Sequence, residues 1–149
     1  MSFTFDANVL LYASDEASPY HARARAFVER LPAADELVYV FWPTVMAYLR
    51  VATHPGVFEQ PLPLAEAVAN IEQLLALPNV QVTGEQDRFW SLYRRVAGEA
   101  DARGNLVPDA QLVALMVENG VRTIWTHDRD FRRFPGIESR DPFDGKGQT

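Results

Sequence analysis

Four aspartates stand where this chain could do chemistry. Asp6 closes the apolar run Ser2-Phe3-Thr4-Phe5, Asp109 precedes the run Ala110 to Val117, and Asp128 and Asp130 follow Thr123-Ile124-Trp125-Thr126. Each lies at a predicted strand end or helix start. In an open parallel α/β sheet the strand C-ends share one edge, and ligands bind in the crevice beside it. Carboxylates gathered at such an edge repel one another and call for a counter-charge. A hard divalent cation with oxygen ligands supplies it, and Mg²⁺ commonly bridges protein carboxylates to phosphate.

The rest of the chain must bring these residues together. Its 149 residues suffice for one domain with a true core, and 48% of them are hydrophobic. There is no cysteine, which excludes a disulfide framework, a thiolate metal site and a cysteine nucleophile. The start of the chain carries neither a basic segment nor a long apolar stretch, so neither a signal peptide nor a membrane span is expected, and the cytoplasm is the default location. The net charge of −6 argues against a broad basic surface gripping nucleic acid by charge alone. It leaves room for an RNA whose backbone is held by a local arginine group, the acids being neutralised by metal.

Strand-like and helix-like segments alternate. Strands are predicted at Ser2 to Asp6, Leu37 to Phe41, Asn79 to Thr83 (an edge strand, from its alternation), Thr123 to Thr126 and Ile137 to Arg140. Helices are predicted at Ala7 to Tyr12, at Tyr20 to Leu31 with Pro19 at N1, at Thr44 to Thr53 with Pro43 near its start, and at Leu64 to Leu77. Two more are predicted at Gln86 to Ala100 and at Asp109 to Asn119, the latter with Gly120 at C′. Phe131 to Gly136 reads as a turn. The pattern predicts an α/β fold in three α/β/α layers, with a mostly parallel sheet of four or five strands. One domain is expected over 1–143, with a loose polar tail over 144–149.

Three segments in order resemble the PIN-domain family, in particular the VapC-type toxins of bacterial toxin–antitoxin pairs. They are Phe5-Asp6-Ala7-Asn8-Val9-Leu10-Leu11, then Gly104-Asn105-Leu106-Val107-Pro108-Asp109-Ala110, then Thr126-His127-Asp128-Arg129-Asp130-Phe131. Leu49-Arg50-Val51-Ala52-Thr53-His54-Pro55 resembles an actinobacterial subgroup of those toxins. The resemblance spans about Phe3 to Pro142. It implies a Mg²⁺- or Mn²⁺-dependent endoribonuclease, usually dimeric and silenced by a small cognate antitoxin. Carried over by position, Asp6 and Asp109 would bind the principal ion and Asp128 would complete its ligand set. Asp130 would position a water or help a weaker second ion. Many members carry a glutamate in the helix after the second strand, where this chain has Tyr48. That departure motivates an alternative, a degenerate PIN module that binds RNA or an antitoxin without cutting.

Each acid also has a plain structural explanation. Asp6 and Asp109 could cap or charge-match helix N-termini, and Asp128 and Asp130 could be turn residues. Asn8 and Thr126 flank the cluster and could bond a water or the scissile phosphate, or serve a helix turn and a strand. Arg103, Arg129, Arg132 and Arg133 could contact RNA phosphates or be solvated surface, and Arg50 could meet an acid or a phosphate. Glu118, nine residues beyond Asp109 and on the far side of its helix, reads as a surface residue. The aromatics Trp42, Tyr48, Phe89, Trp90 and Trp125 read chiefly as core. His21, His54 and His127 lack zinc-site spacing, and strand alternation turns His127 away from Asp128. An aspartyl phosphatase of the haloacid-dehalogenase type would need an acid two residues after Asp6, where Asn8 stands.

Overall fold

The computed structural model describes residues 1–144. Except for Asp144, the tail expected to be loose lies outside the described residues.

Five strands form one sheet. They are β1 (Ser2–Phe5), β2 (Leu37–Phe41), β3 (Val80–Thr83), β4 (Thr123–Trp125) and β5 (Glu138–Arg140). The sheet runs β3-β2-β1-β4-β5 and every pairing is parallel. The predicted edge strand β3 is indeed an edge, and its partly exposed residues fit one. Parallel neighbours need crossovers, and six helices supply those as far as β4: α1 (Ala7–Ser14), α2 (His21–Arg30), α3 (Trp42–Ala52), α4 (Leu64–Leu75), α5 (Phe89–Ala100) and α6 (Leu106–Glu118), while a 3₁₀ turn joins β4 to β5.

The period of two along the strands sorts the core into two layers. Val38 and Val40 of β2 join Phe3 and Phe5 of β1 in a cluster with α1, α2, α3 and α4. Tyr39 and Phe41 point to the other face, where Ile124 of β4 packs with α5 and α6. In α6, Ala110 and Leu112 through Met116 are all buried, so this helix is apolar nearly all round. It is roofed by α5, whose Leu92 and Val96 face inward. Truncating Leu115 or Ile124 to alanine is expected to cost about 2–5 kcal/mol.

Several predicted boundaries shift. Pro19 lies before α2 rather than at its first position, because helical geometry begins at His21 with Tyr20 as the flanking residue. α3 starts at Trp42, two residues early, with Pro43 inside its first turn. α5 starts at Phe89, three residues late, because residues 86–89 form a turn capped from α6: Glu118 Oε1 accepts from the Gln86 amide at 3.0 Å and Oε2 from the Arg88 amide at 3.0 Å. Glu118 thus caps α5 rather than standing free in solvent. α6 starts at Leu106, three residues before Asp109. Pro108 sits in its first turn, where a missing N–H removes no intrahelical bond. The region after Asp128 is a 3₁₀ turn at Arg129–Arg133. Gly120 follows α6 at φ +70°, the left-handed conformation that favours glycine.

Two aromatic expectations fail. Tyr48 is buried and Trp125 packs against the core, but Trp42 is 43% and Trp90 65% exposed. Both sit in the first turn of a helix.

Candidate metal centre

The order of the strands reverses at β1. From there the chain leads outward to β2 and β3 on one side, and to β4 and β5 on the other. The crevice of such a sheet opens at the C-ends of β1 and β4. The register Phe5↔Trp125 sets the residues that follow them side by side, and the Asp6 amide donates to the Trp125 carbonyl at 3.3 Å. Asp6 and Thr126 therefore leave the sheet together, with Asp128 two residues further on.

A buried hydroxyl joins these residues. Thr126 Oγ1 donates to Asp6 Oδ2 at 2.6 Å and accepts from the Asp128 amide at 3.0 Å. Asp128 Oδ1 accepts from the Asp130 amide at 2.9 Å, capping the 3₁₀ turn. The turn-residue explanation of Asp128 thus holds for one of its oxygens. Asp6 stands at the start of α1 and makes no side-chain capping hydrogen bond, although the amides of Val9 and Asn8 favour its charge. Asp109 is the fourth residue of α6, past the capping position.

The carboxylates of Asp109, Asp128 and Asp130 each bring an oxygen within 4.8 Å of the others. Asp6 is not one of this group but is tied to Asp128 through Thr126. Among the described residues no ion pair involves any of the four. The electrostatic consequence is plain in their proton affinities. Burial pushes the Asp109 carboxyl up to about 7, aided by the charges of Asp128, Asp130 and Asp6. Burial also raises Asp6 to about 6. The Thr126 hydroxyl and the nearby amides of Val9 and Asn8 offset part of that rise, and Asp128 adds to it.

Among the described residues Asp6 Oδ1 is a buried oxygen with no hydrogen-bond partner, which is costly unless something else satisfies it. An all-oxygen donor set, without an ion pair among the described residues and including this orphaned atom, fits a hard divalent cation.

The other residues singled out in the sequence fall as follows. Asn8 and Arg129 are exposed beside the cluster, as are Arg132 and Arg133 beyond it. Arg103 pairs with Asp101 at 2.8 Å. Arg50 is exposed and makes no ion pair among the described residues. Tyr48, which the resemblance sets against a glutamate, is 1% exposed. Its hydroxyl bonds Ser14 Oγ at 2.7 Å and accepts from Asn70 Nδ2 at 3.0 Å. It forms part of a groove of about 520 Å³ whose walls include Leu10, His21, Ile71 and Leu74 and none of the four acids. His127 turns from the acids, as strand alternation predicts: its Nδ1 bonds Asp141 Oδ2 at 2.8 Å and its Nε2 the Tyr20 hydroxyl at 3.1 Å. The sequence reading missed this Tyr20–His127–Asp141 arrangement. Its members lie far apart in the chain, and only the proximity of His127 to Asp128 hinted at it.

The fold and the acid-lined crevice define a class. The PIN domain model matches residues 3–137, and the chain belongs to the PIN-domain family. Within that family it is of the VapC toxin type. It is 54% identical over 145 residues to ribonuclease VapC48 of Mycobacterium tuberculosis, covering 97% of this chain and all of that one. It is 39% identical over 140 residues to ribonuclease VapC31 of the same organism, covering 94% and 98%. Among solved structures, VapBC2 from Rickettsia felis bound to a promoter DNA fragment superposes with a TM-score of 0.67 at 13% identity, covering 95% of this chain and 98% of that one. Mycobacterium tuberculosis VapC20, described as a toxin cleaving the sarcin–ricin loop, superposes with a TM-score of 0.65 at 15% identity, covering 91% and 98%.

Proposed function

We propose that this VapC-type ribonuclease toxin is an endoribonuclease that hydrolyses RNA phosphodiester bonds with a divalent cation, Mg²⁺ or in its place Mn²⁺. Asp109, Asp128 and Asp130 would hold the cation, with Asp6 completing the set through its unpartnered oxygen. The observation that carries this reading is the convergence of three carboxylates within 4.8 Å, none of them in an ion pair among the described residues.

Bound there, a divalent cation supplies an acidified water and a counter-charge for the phosphoryl oxygens. The chain's own residues do the positioning. Thr126 holds Asp6 and the Asp128 backbone in fixed relation. Arg129, Arg132 and Arg133, exposed on the 3₁₀ turn after Asp128, offer charge-assisted hydrogen bonds to the RNA backbone. Incubating purified protein with RNA and Mg²⁺ or Mn²⁺ tests the proposal, with EDTA and Asp6→Asn as controls. Cleavage that stops in both controls supports it, and equal cleavage in either rules it out.

The same reading includes a single PIN domain over 1–143, a cytoplasmic site of action and a small cognate antitoxin. Structures similar to this one include VapBC complexes, which supports the antitoxin. No helix among the described residues is long and apolar enough to cross a membrane. A homodimer is also part of the proposal. Trp42 and Met46, one turn apart on α3, are 43% and 55% exposed, and exposed apolar side chains so close together favour a protein contact.

A second reading, a degenerate module that binds RNA or antitoxin without cutting, rests on Tyr48. Its buried phenol replaces a carboxylate and serves Ser14 and Asn70 instead of a metal. Absence of Mn²⁺ binding at millimolar concentration in the antitoxin-free protein would favour it.

A further inference from the structure

Beside the acids stands a cluster of rings that the proposed chemistry leaves unused. Tyr20 stacks on Phe143 with centroids 4.9 Å apart and planes 10° from parallel. His127, the chain neighbour of Asp128, lies 4.7 Å from Tyr20 and 5.3 Å from Phe143. Tyr12, on the helix that Asp6 opens, lies 5.2 Å from Tyr20 and 5.7 Å from Phe143.

Three of these four rings are held by polar bonds. His127 bonds Asp141 and Tyr20. Asp141 Oδ1 also accepts from the Phe143 amide at 2.8 Å, and the Arg23 guanidinium donates to the Phe143 carbonyl at 3.0 Å. Tyr12 is different. It is half-buried, and among the described residues its hydroxyl has no hydrogen-bond partner. Its helix begins at Asp6, and its ring packs through Tyr20 on His127, the neighbour of Asp128, which sets it beside the acidic crevice; burial first, then the charges of Asp6 and Asp128, raise its pKa.

We propose that Tyr12 is a substrate-contacting residue: a nucleobase next to the scissile phosphate stacks on its ring, with Tyr20, Phe143 and His127 as the rigid backing. Single-stranded RNA is recognised largely by such stacking of unpaired bases on aromatic side chains. Every base presents a π-face, so the contact orients the strand without reading its sequence. An acidic crevice repels the RNA backbone, and an aromatic wall gives the strand a hold that does not depend on charge. The proposal rests on the endoribonuclease reading for the identity of the ligand, but its test does not require cleavage.

The test is fluorescence anisotropy in EDTA with a short labelled oligoadenylate and with a ribose-phosphate oligomer of the same length lacking bases. Wild type is expected to bind the oligoadenylate about tenfold or more tightly than the abasic oligomer. Tyr12→Ala, with Tyr12→Leu as the variant that keeps apolar packing, is expected to bring that ratio close to one, and Tyr12→Phe to restore it. Equal binding of both oligomers by wild type overturns the proposal without any variant having to fold. So does a ratio unchanged in Tyr12→Leu, or a Tyr12→Phe protein that behaves like Tyr12→Leu. Failure of wild type to cleave RNA would count against the nuclease reading and leave this measurement intact.

Discussion

Thr126 Oγ1 reaches Asp6 Oδ2 at 2.6 Å across 120 residues of chain. The same oxygen accepts the Asp128 amide, so one buried hydroxyl sets the relation between acids from two strands. Thr126→Val keeps the shape of the side chain and removes both bonds. Cleavage is expected to fall tenfold or more, and stability by about 1–3 kcal/mol from the buried groups left unpaired. Thr126→Ser is expected to retain most activity. Steady-state cleavage and denaturant unfolding of the three proteins check this.

The burial of two carboxylates, with repulsion from their acidic neighbours added, makes the metal-free protein sensitive to pH in an unusual direction. Asp6 and Asp109 have folded pKa values of about 6 and about 7 against an ordinary 3.8. The folded state therefore binds more protons than the unfolded state between these limits, and stability falls as pH rises. It is expected to be greatest near pH 4 and to decline until about pH 7, with Asp6 alone contributing about 3 kcal/mol of the change. Urea unfolding in EDTA across that range measures it. Millimolar Mn²⁺ is expected to remove much of the decline.

Asp109→Asn separates stability from activity. Removing one charge from a group of four relieves repulsion, so the metal-free variant is expected to be more stable than wild type at pH 7.5 and no more stable at pH 4. Cleavage is expected to drop at least a hundredfold, as for loss of a group central to transition-state stabilisation. Thermal unfolding at the two pH values, beside a cleavage assay, is the check.

Tyr48 is expected to act through folding and not through chemistry. Tyr48→Phe strips a buried oxygen from Ser14 and Asn70, at a cost of about 1–2 kcal/mol. Cleavage at a temperature well below unfolding is expected to stay within about twofold of wild type, a change of under ~0.5 kcal/mol in barrier. A large loss of activity with unchanged stability would give Tyr48 a part in the chemistry.

Much of this was legible in the residues because the relevant signals are local. Apolar runs ending in an acid mark strand C-ends, and in a parallel sheet all C-ends meet at one edge. That is why Asp6, Asp128 and Asp130 could be gathered from sequence, while Asp109 joined them as an acid at a predicted helix start. Which three lie closest was not legible. The sequence placed Asp6 and Asp109 at the centre, whereas the tightest group is Asp109, Asp128 and Asp130, because the 3₁₀ turn after Asp128 folds Asp130 back and the α6 entry carries Asp109 toward them. The exposure of Trp42 and Trp90 was hidden because an aromatic in an apolar run reads as core until the helix face is known. The aromatic wall depends on contacts such as Tyr20 with His127, 107 residues apart, and has no local signature.

The central claim is that the acids share one divalent cation. Isothermal calorimetry of Mn²⁺ into the antitoxin-free protein at neutral pH tests it most directly, with Asp128→Asn as the comparison. The account predicts saturable binding to wild type, release of protons on binding, and affinity at least tenfold weaker in the variant. Binding that is absent from wild type, or unchanged in Asp128→Asn, would contradict it.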